Sequence, residues 1–423
     1  MPAAPIAVVG AGLSGVTAAS ALRGMGLPVL CFEAGKHIAG LARSFRDEAG
    51  FSYDFGAHFI TNRLAAAAGV GAYCRTVRHY GETVLLRGRT HSYPFGLVSS
   101  PRYVFSGLAS RVSTLRSSAP ASAAEWFRHA YGARLANEVA IPLVEAWSGQ
   151  PADRLAPSVG EKLPGGVSRT IALKLASRLQ GRAVAHGYCR AQPENTQVWH
   201  VYPEGGVQTI CEQLARNLTG VIRLESPVEE ILVDREKVVA VRVQGRYQEV
   251  SAVFSTAPVN VLPKLVRGTS VLQHLAAFRY RPMIFVNLRF EGRGLLPDVV
   301  TWTPEAQFPF FRITEATLSM PWLAPRNKTM LTVDIGCEVG DRYWTMSDDQ
   351  LAELSLEALS LIVPRIRGRY LGSQVLRTKI AYPVFLKEYE ENRKRLEEGT
   401  GVRGLYLIGR NGEFAHILME DVY

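Results

Sequence analysis

The stretch PIAVVGAGLSGVTAASALRGMGLPVLCFEAG, residues 5–35, leaves a chain few ways to fold. A short apolar run ends in glycines, small and apolar residues follow at helical spacing, and a second apolar run ends in an acid. That order predicts a strand, a helix and a second, parallel strand. Gly10, Gly12 and Gly15 fall at the strand-to-helix turn. The first permits a tight turn, the second lets backbone approach a pyrophosphate, and the third permits close helix–strand packing. The N–H groups at the helix start, around Leu13 and Ser14, then face the anionic phosphates. Glu33, followed by Ala34, ends the second strand where an acid accepts hydrogen bonds from ribose hydroxyls and repels a 2′-phosphate, against NADP. Together these features predict a dinucleotide site, open to NAD or FAD.

The next segments distinguish the two. HIAGLARSF contains Gly40, Leu41, Ala42 and Arg43, a second small-residue turn with a cation. It suits a longer ligand, with Arg43 either on phosphate or flavin oxygens or on the surface. In YDFGAHFITN, Gly56 and Ala57 let the backbone lie against something flat and bulky. His58, followed by Phe59, can move a proton there or only hold the loop. The flat object expected is an isoalloxazine ring, and the cofactor expected is FAD.

Length and composition narrow the setting. A chain of 423 residues predicts two or three domains. No apolar run reaches the roughly 18 residues of a spanning helix. The N-terminal MPAAPIAVVGAG goes directly into a strand, which predicts no secretory leader. Five scattered cysteines without a CxxC predict neither a disulfide framework nor a zinc site, and cytoplasmic residence is expected. The net charge of +10 is dispersed, so no nucleic-acid partner is expected. It fits general solubility or an anionic small-molecule substrate, and leaves peripheral membrane contact open.

The later pattern implies an α/β chain that passes between domains more than once. Residues 80–95 read as a hairpin turning at Arg87-Gly88-Arg89, and 98–190 are mainly helical. Residues 221–259 read as a meander followed by a run into a small-residue turn. Residues 282–336 are strand-rich, and MSDDQ opens a helix over 347–365. We expect a Rossmann-like FAD-binding domain from residues 1–66, 200–265 and 376–423. An inserted mixed α+β substrate domain takes residues 67–199 and 266–375.

The fingerprint with Glu33, GLARS and FSYDFGAHFIT resemble a flavoprotein superfamily. That superfamily includes protoporphyrinogen oxidase, phytoene desaturase, monoamine oxidase and UDP-galactopyranose mutase. AIPLVEAWSGQPADRLAP, VYPEGGVQTICEQLARNL, FPFFRITEATLSMPWLAPRNKTMLTVDI and AYPVFLKEYEENRKRL are similar to its protoporphyrinogen-oxidase-like branch, in the correct order. The resemblance implies that Val228 in SPVEEI lies on the strand contacting adenine and Ala257 in VFSTAPV on the return strand. It also makes LYLIGRNGEFAHILMEDV the closing flavin motif. There Gly409 and Arg410 end a strand where the arginine meets pyrophosphate, and Leu418 and Met419 begin a helix facing the flavin N1/C2 carbonyl. The family continues into a substantial final helix, whereas this sequence stops at Tyr423, so either a tail is absent from it or the helix is unusually short.

Two chemistries are implied: hydride transfer from a substrate C–H bond to flavin N5, or attack of reduced flavin on a sugar anomeric carbon without net oxidation. YDFGAHFITN and HSYPF resemble the mutases. AQPENTQVWHV lacks an arginine that mutases place before YPEGG, which favours the oxidoreductase. A catalytically inactive flavin-binding protein is a third reading. His58 is the candidate catalytic residue. Tyr93, Trp147, Arg312 and Tyr382 are candidates for substrate contact, with Arg281 a further cation for a pyrophosphate clamp. Trp147 could equally be core and Arg312 an internal salt bridge. No serine–histidine–acid set or metal-ligand cluster is evident, so neither hydrolysis nor metal catalysis is expected.

Overall fold

The computed structural model describes residues 4–93, 95–98, 100–114, 119–162 and 167–423. The predicted βαβ unit forms as strand Ile6–Val9, helix Leu13–Gly24 and strand Val29–Phe32. It is the centre of a five-stranded parallel sheet in the order Ile222–Arg223, Val29–Phe32, Ile6–Val9, Ala252–Ser255 and Leu405–Leu407. Both faces are covered, as parallel sheets require. Val8 and Cys31 pack with Val16 and Ala19 of the helix. Ala7, Val9, Phe32, Val253 and Leu405 pack on the other side, with Ile231 and Val241 of the meander.

The meander is the antiparallel set Val228–Asp234, Lys237–Val243 and Arg246–Glu249. Its two-residue turns, Arg235-Glu236 and Gln244-Gly245, all have positive φ, the backbone twist that suits tight hairpins. The predicted hairpin also forms, as Glu82–Leu86 and Arg89–Tyr93, with Arg87 and Gly88 at positive φ.

That hairpin is the edge of a seven-stranded sheet. Its order continues through Val300–Trp302, Arg312–Thr314, Lys328–Gly336 and Tyr280–Glu291 to Tyr370–Pro383. Backbone register aligns Leu376, Phe285, Asp334, Arg312, Trp302, Val84 and His91 in one transverse row, and hence on one face. Helix Asp348–Ser360 starts at Ser347 with reciprocal bonds to Gln350, and buries Leu351, Leu356 and Leu359 against this sheet's core. Position 376 lies inside the strand Tyr370–Pro383, because pairing to Tyr280–Glu291 continues to Pro383. We therefore propose that the chain returns to the nucleotide-binding part at about Val384 rather than at 376.

The segment 98–190 is helical through Pro101–Thr114, Ala123–Tyr131, Ile141–Ser148 and Val167–Gln180. Just beyond it, His200–Pro203 pairs with Ile60–Thr61 and Cys74–Thr76. The His200 ring is 1% exposed, against Phe59, Tyr80 and Tyr188. Burial pushes its imidazole down to about 4, against weaker opposition from an Ile60 backbone hydrogen bond and from Glu194. The folded state therefore prefers the neutral ring. This group should cost nothing above its unfolded value of about 6.5, and its cost should grow as pH falls and level off below about 4, at about 3 kcal/mol. Urea unfolding should show this loss between about pH 7 and pH 4.5 in the native chain, and a smaller one in His200→Gln.

Candidate flavin and substrate site

The fingerprint glycines are fixed by close approaches that only hydrogen side chains allow. Gly10 has φ +93°, and a Cβ there would lie 2.2 Å from Thr256 Oγ1. A Cβ on Gly15 would lie 1.9 Å from the Gly10 carbonyl oxygen. Gly12 differs: its Cβ would meet only the Ala39 carbonyl, at 4.0 Å, so its other side is open. It precedes helix Leu13–Gly24 without a side-chain cap, which leaves first-turn N–H donors for an anion. This open cradle fits a pyrophosphate.

Glu33 accepts from Ala11 N at 2.7 Å and Gly35 N at 2.8 Å. Exposed Ala34 lies beside it, and Ser226 N donates to the Glu33 carbonyl, bringing Val228 alongside. The turn Gly40–Ala42 meets the fingerprint through Ala39 N, which donates to the Ala11 carbonyl. Arg43 lies 4.8 Å over the Phe45 ring. Ala257 follows Thr256, whose N–H donates to the Val9 carbonyl beside Gly10. Gly409 is equally close: a Cβ there would lie 1.9 Å from Ser14 Oγ. Leu13, Ala42, Ala57, Phe59 and Met419, distant in sequence, share one apolar cluster.

At the opening loop, Asp54 is the organiser. Its carboxylate accepts from Ser44 Oγ and Tyr202 OH, each at 2.6 Å, and lies 3.5 Å from His58 Nδ1. His58 keeps 22% of its side chain exposed. Gly56 turns at φ +83°, and a Cβ there would come within 2.9 Å of the Phe285 ring and 3.3 Å of Arg312 Nη2. Arg312 pairs with Asp334, its neighbour across the strands. Burial opposes the Arg312 charge, and Asp334, Tyr382 and Tyr80 together more than offset it, so the guanidinium stays above its ordinary value. Burial also draws Asp334 upward, against the pull of Arg312.

Trp147 and Tyr382 come together, their ring centroids 5.3 Å apart, and pack with Phe55 around Phe285. His416 completes the group, stacked on Tyr382 at 5.6 Å and 5.4 Å from Trp147. Arg410 is directed to these rings. Its Nε donates to the Ile417 carbonyl and Nη1 to the Ala381 carbonyl, and Cζ lies 5.4 Å over Tyr382. Its hydrogen bonds among the described residues thus go to carbonyls beside the aromatic group, whereas the sequence pattern led us to expect it on the pyrophosphate. Burial pulls this guanidinium below its ordinary value, with only weaker support from Tyr382.

Two of the proposed substrate residues lie elsewhere. Tyr93 sits at the far hairpin edge, where its carbonyl accepts from Lys174 Nζ at 2.7 Å. Arg281 is held between Gly149 and Gly336 and bonded to Glu338, so it acts as a structural tie. The closing helix is the single turn Met419–Val422, capped by Leu418. Its acids are taken up by other partners: Glu420 by Arg63 and Thr61, Asp421 by the Arg190 N–H. Sequence reading missed Asp54, Asp334 and the placement of His416. The acid in YDFG was a local signal for the first, whereas the other two depend on distant strands.

A two-layered glycine cradle, an acid at the second strand's end and an aromatic, arginine-bearing wall define a dinucleotide-binding flavin enzyme fold. The chain belongs to the flavin-containing amine oxidoreductase family, whose sequence profile matches residues 13–423. Its cofactor is FAD. Among solved structures, reduced UDP-galactopyranose mutase is similar with a TM-score of 0.80 and 18% identity, over 99% of this chain and 93% of that one. A candidate protoporphyrinogen oxidase from Exiguobacterium sp. 255-15 is similar with a TM-score of 0.73 and 18% identity, over 97% and 94%. A putrescine oxidase bound to putrescine gives 0.65 and 15%, over 95% and 92%. No curated protein sequence matches the chain. Among the described residues, no helix is long and apolar enough to cross a membrane.

We propose that the cradle residues above hold FAD, with Glu33 on the adenosine ribose. Glu33→Ala should then weaken FAD by about 1–3 kcal/mol, the scale of a hydrogen bond to a charged group. Gly12→Val, which fills the open side, should yield protein without flavin. Equilibrium dialysis against FAD checks the first, and the absorption spectrum of the purified protein checks the second.

Proposed function

We propose that this chain is an oxidoreductase acting on a neutral or anionic small molecule, and not on a cationic amine. The observation that carries this reading is the charge around Tyr382. Arg312 lies near it, already neutralised by Asp334, and Arg410 lies over it with, among the described residues, carbonyl acceptors alone. A protonated amine would add like charge to a desolvated wall, whereas a carboxylate would relieve it and a neutral group would add no repulsion.

Bound FAD supplies the two-electron acceptor. Trp147, Tyr382 and His416 form the wall that orients the substrate and excludes water. His58, whose Nδ1 lies 3.5 Å from Asp54, is the ring assigned to accept a proton from substrate. Phe285 and Arg312 hold Gly56 and so set the position of His58. Five free cysteines without a disulfide support a reducing, cytoplasmic setting.

The same positive wall would suit a sugar diphosphate, so the mutase reading is kept as the rival. Anaerobic titration of the FAD-loaded protein separates the two. Carboxylate-bearing alcohols should bleach the oxidised flavin band, oxygen should restore it, and putrescine should be a poor reductant. An oxidised protein inert to all of these, yet converting a nucleotide sugar after dithionite with no net electron consumption, would overturn the reading. In His58→Ala, flavin content should persist while the bleaching rate falls by about 100-fold or more, the scale of general-base catalysis.

A further inference from the structure

A cavity of about 440 Å³ lies outside the group built on His58, Arg312 and Tyr382, and none of those three residues lines it. It sits between the hairpin Glu82–Leu86 and Arg89–Tyr93, the helix Val167–Gln180 and the segment leading to His200. Glu82 and Tyr93 lie on the same sheet face as Trp302 and Arg312, two residues along from the transverse row. Trp302 stands between the two regions, its Nε1 donating to Glu82 at 3.0 Å and its ring 5.6 Å from Arg312 Cζ.

The walls are rings: Tyr80, Tyr93, Tyr188 and His200. Arg78, Lys174 and Arg178 bring positive charge, with Arg78 and Arg178 exposed near its edge. The two lining carboxylates have partners already. Glu82 accepts from Tyr80 OH and Trp302 Nε1, and Asp298 from His79 and the Val299 N–H. Lys174 donates, among the described residues, to the Tyr93 carbonyl. Burial draws its ammonium below the ordinary value, and Glu82 and Asp298 oppose that only in part. Both His186 ring nitrogens are shut from solvent without a hydrogen-bond partner among the described residues. The cavity thus combines a half-buried cation, an unsatisfied imidazole and aromatic walls.

We propose that this cavity binds a ring-bearing small anion, with Lys174 on its carboxylate or phosphate oxygens. An anionic oxygen there gives Lys174 a charged acceptor, while the tyrosine rings enclose the ligand's ring.

Calorimetric titration of the FAD-loaded protein with benzoate and with phenyl phosphate tests this, the two arms separating a carboxylate from a phosphate ligand. At least one should bind saturably at one site. Lys174→Met should weaken it by about tenfold, the loss of one charge-assisted bond, and Tyr382→Phe should leave it unchanged. Arg178→Gln, at an exposed position, should weaken it severalfold without disturbing the core, and serves if Lys174→Met loses flavin or melts early. Failure of both ligands to saturate, full affinity in both charge variants, or an equal loss in Tyr382→Phe would overturn the proposal. Inorganic phosphate binding as tightly as phenyl phosphate would remove the role given to the rings.

Discussion

The ion pair between Arg312 and Asp334 fixes more of this molecule than any other single contact. Asp334 is buried and Arg312 half-buried, and a carboxylate left alone in that place could not remain charged without cost. They meet because two strands of the seven-stranded sheet run antiparallel in one register. A slip of one residue would send both side chains to opposite faces. The pair sits beside Phe285, and together they leave Gly56 room for a glycine only. Substrate-side sheet and flavin-side loop are therefore positioned by one interaction. Breaking it from either side would leave a bare charge, at about 3–5 kcal/mol.

The charge around that pair carries the proposal that this chain does not take a cationic amine. Family membership and fold are shared with amine oxidases and with a sugar mutase, so neither selects a substrate. The aromatic wall could receive many molecules. The guanidiniums beside it are more selective, because in a desolvated pocket sign matters more than shape. Arg410 is the clearest case, a half-buried cation whose hydrogen-bond acceptors among the described residues are neutral carbonyls.

Local patterns carried much of the design. The glycines at 10, 12 and 15, the acid at 33, the Arg87-Gly88 turn and the Ser347 cap are each dictated within a few residues, and each appears where expected. Gly56-Ala57-His58 was legible as a close-approach loop for the same reason. Non-local pairing was not legible. Arg312 could be singled out, but its partner lies 22 positions away and is set by strand register. Arg281 looked equally suitable, yet small residues at 149 and 336 enclose it. Tyr93 and Tyr382 seemed alike in sequence and fall on different parts of the sheet, one by Lys174 and the other by Arg410.

The five-stranded parallel sheet bears on how the chain is made as well as on what it binds. Its neighbouring strands come from residues 6–9, 29–32, 222–223, 252–255 and 405–407. Contacts of such sequence separation form slowly, since long loops must close first. During synthesis the N-terminal βαβ unit must wait, with both edges open, until Ile222–Arg223 and Ala252–Ser255 emerge, and the latter strand keeps an open edge until Leu405–Leu407 leaves the ribosome. Gly409 then seals the start of the first helix by closing on Ser14. A ligand bound across that seam stabilises the closed form by mass action. Flavin supply during translation would then govern how much of this protein escapes aggregation and proteolysis, independently of any reaction it performs.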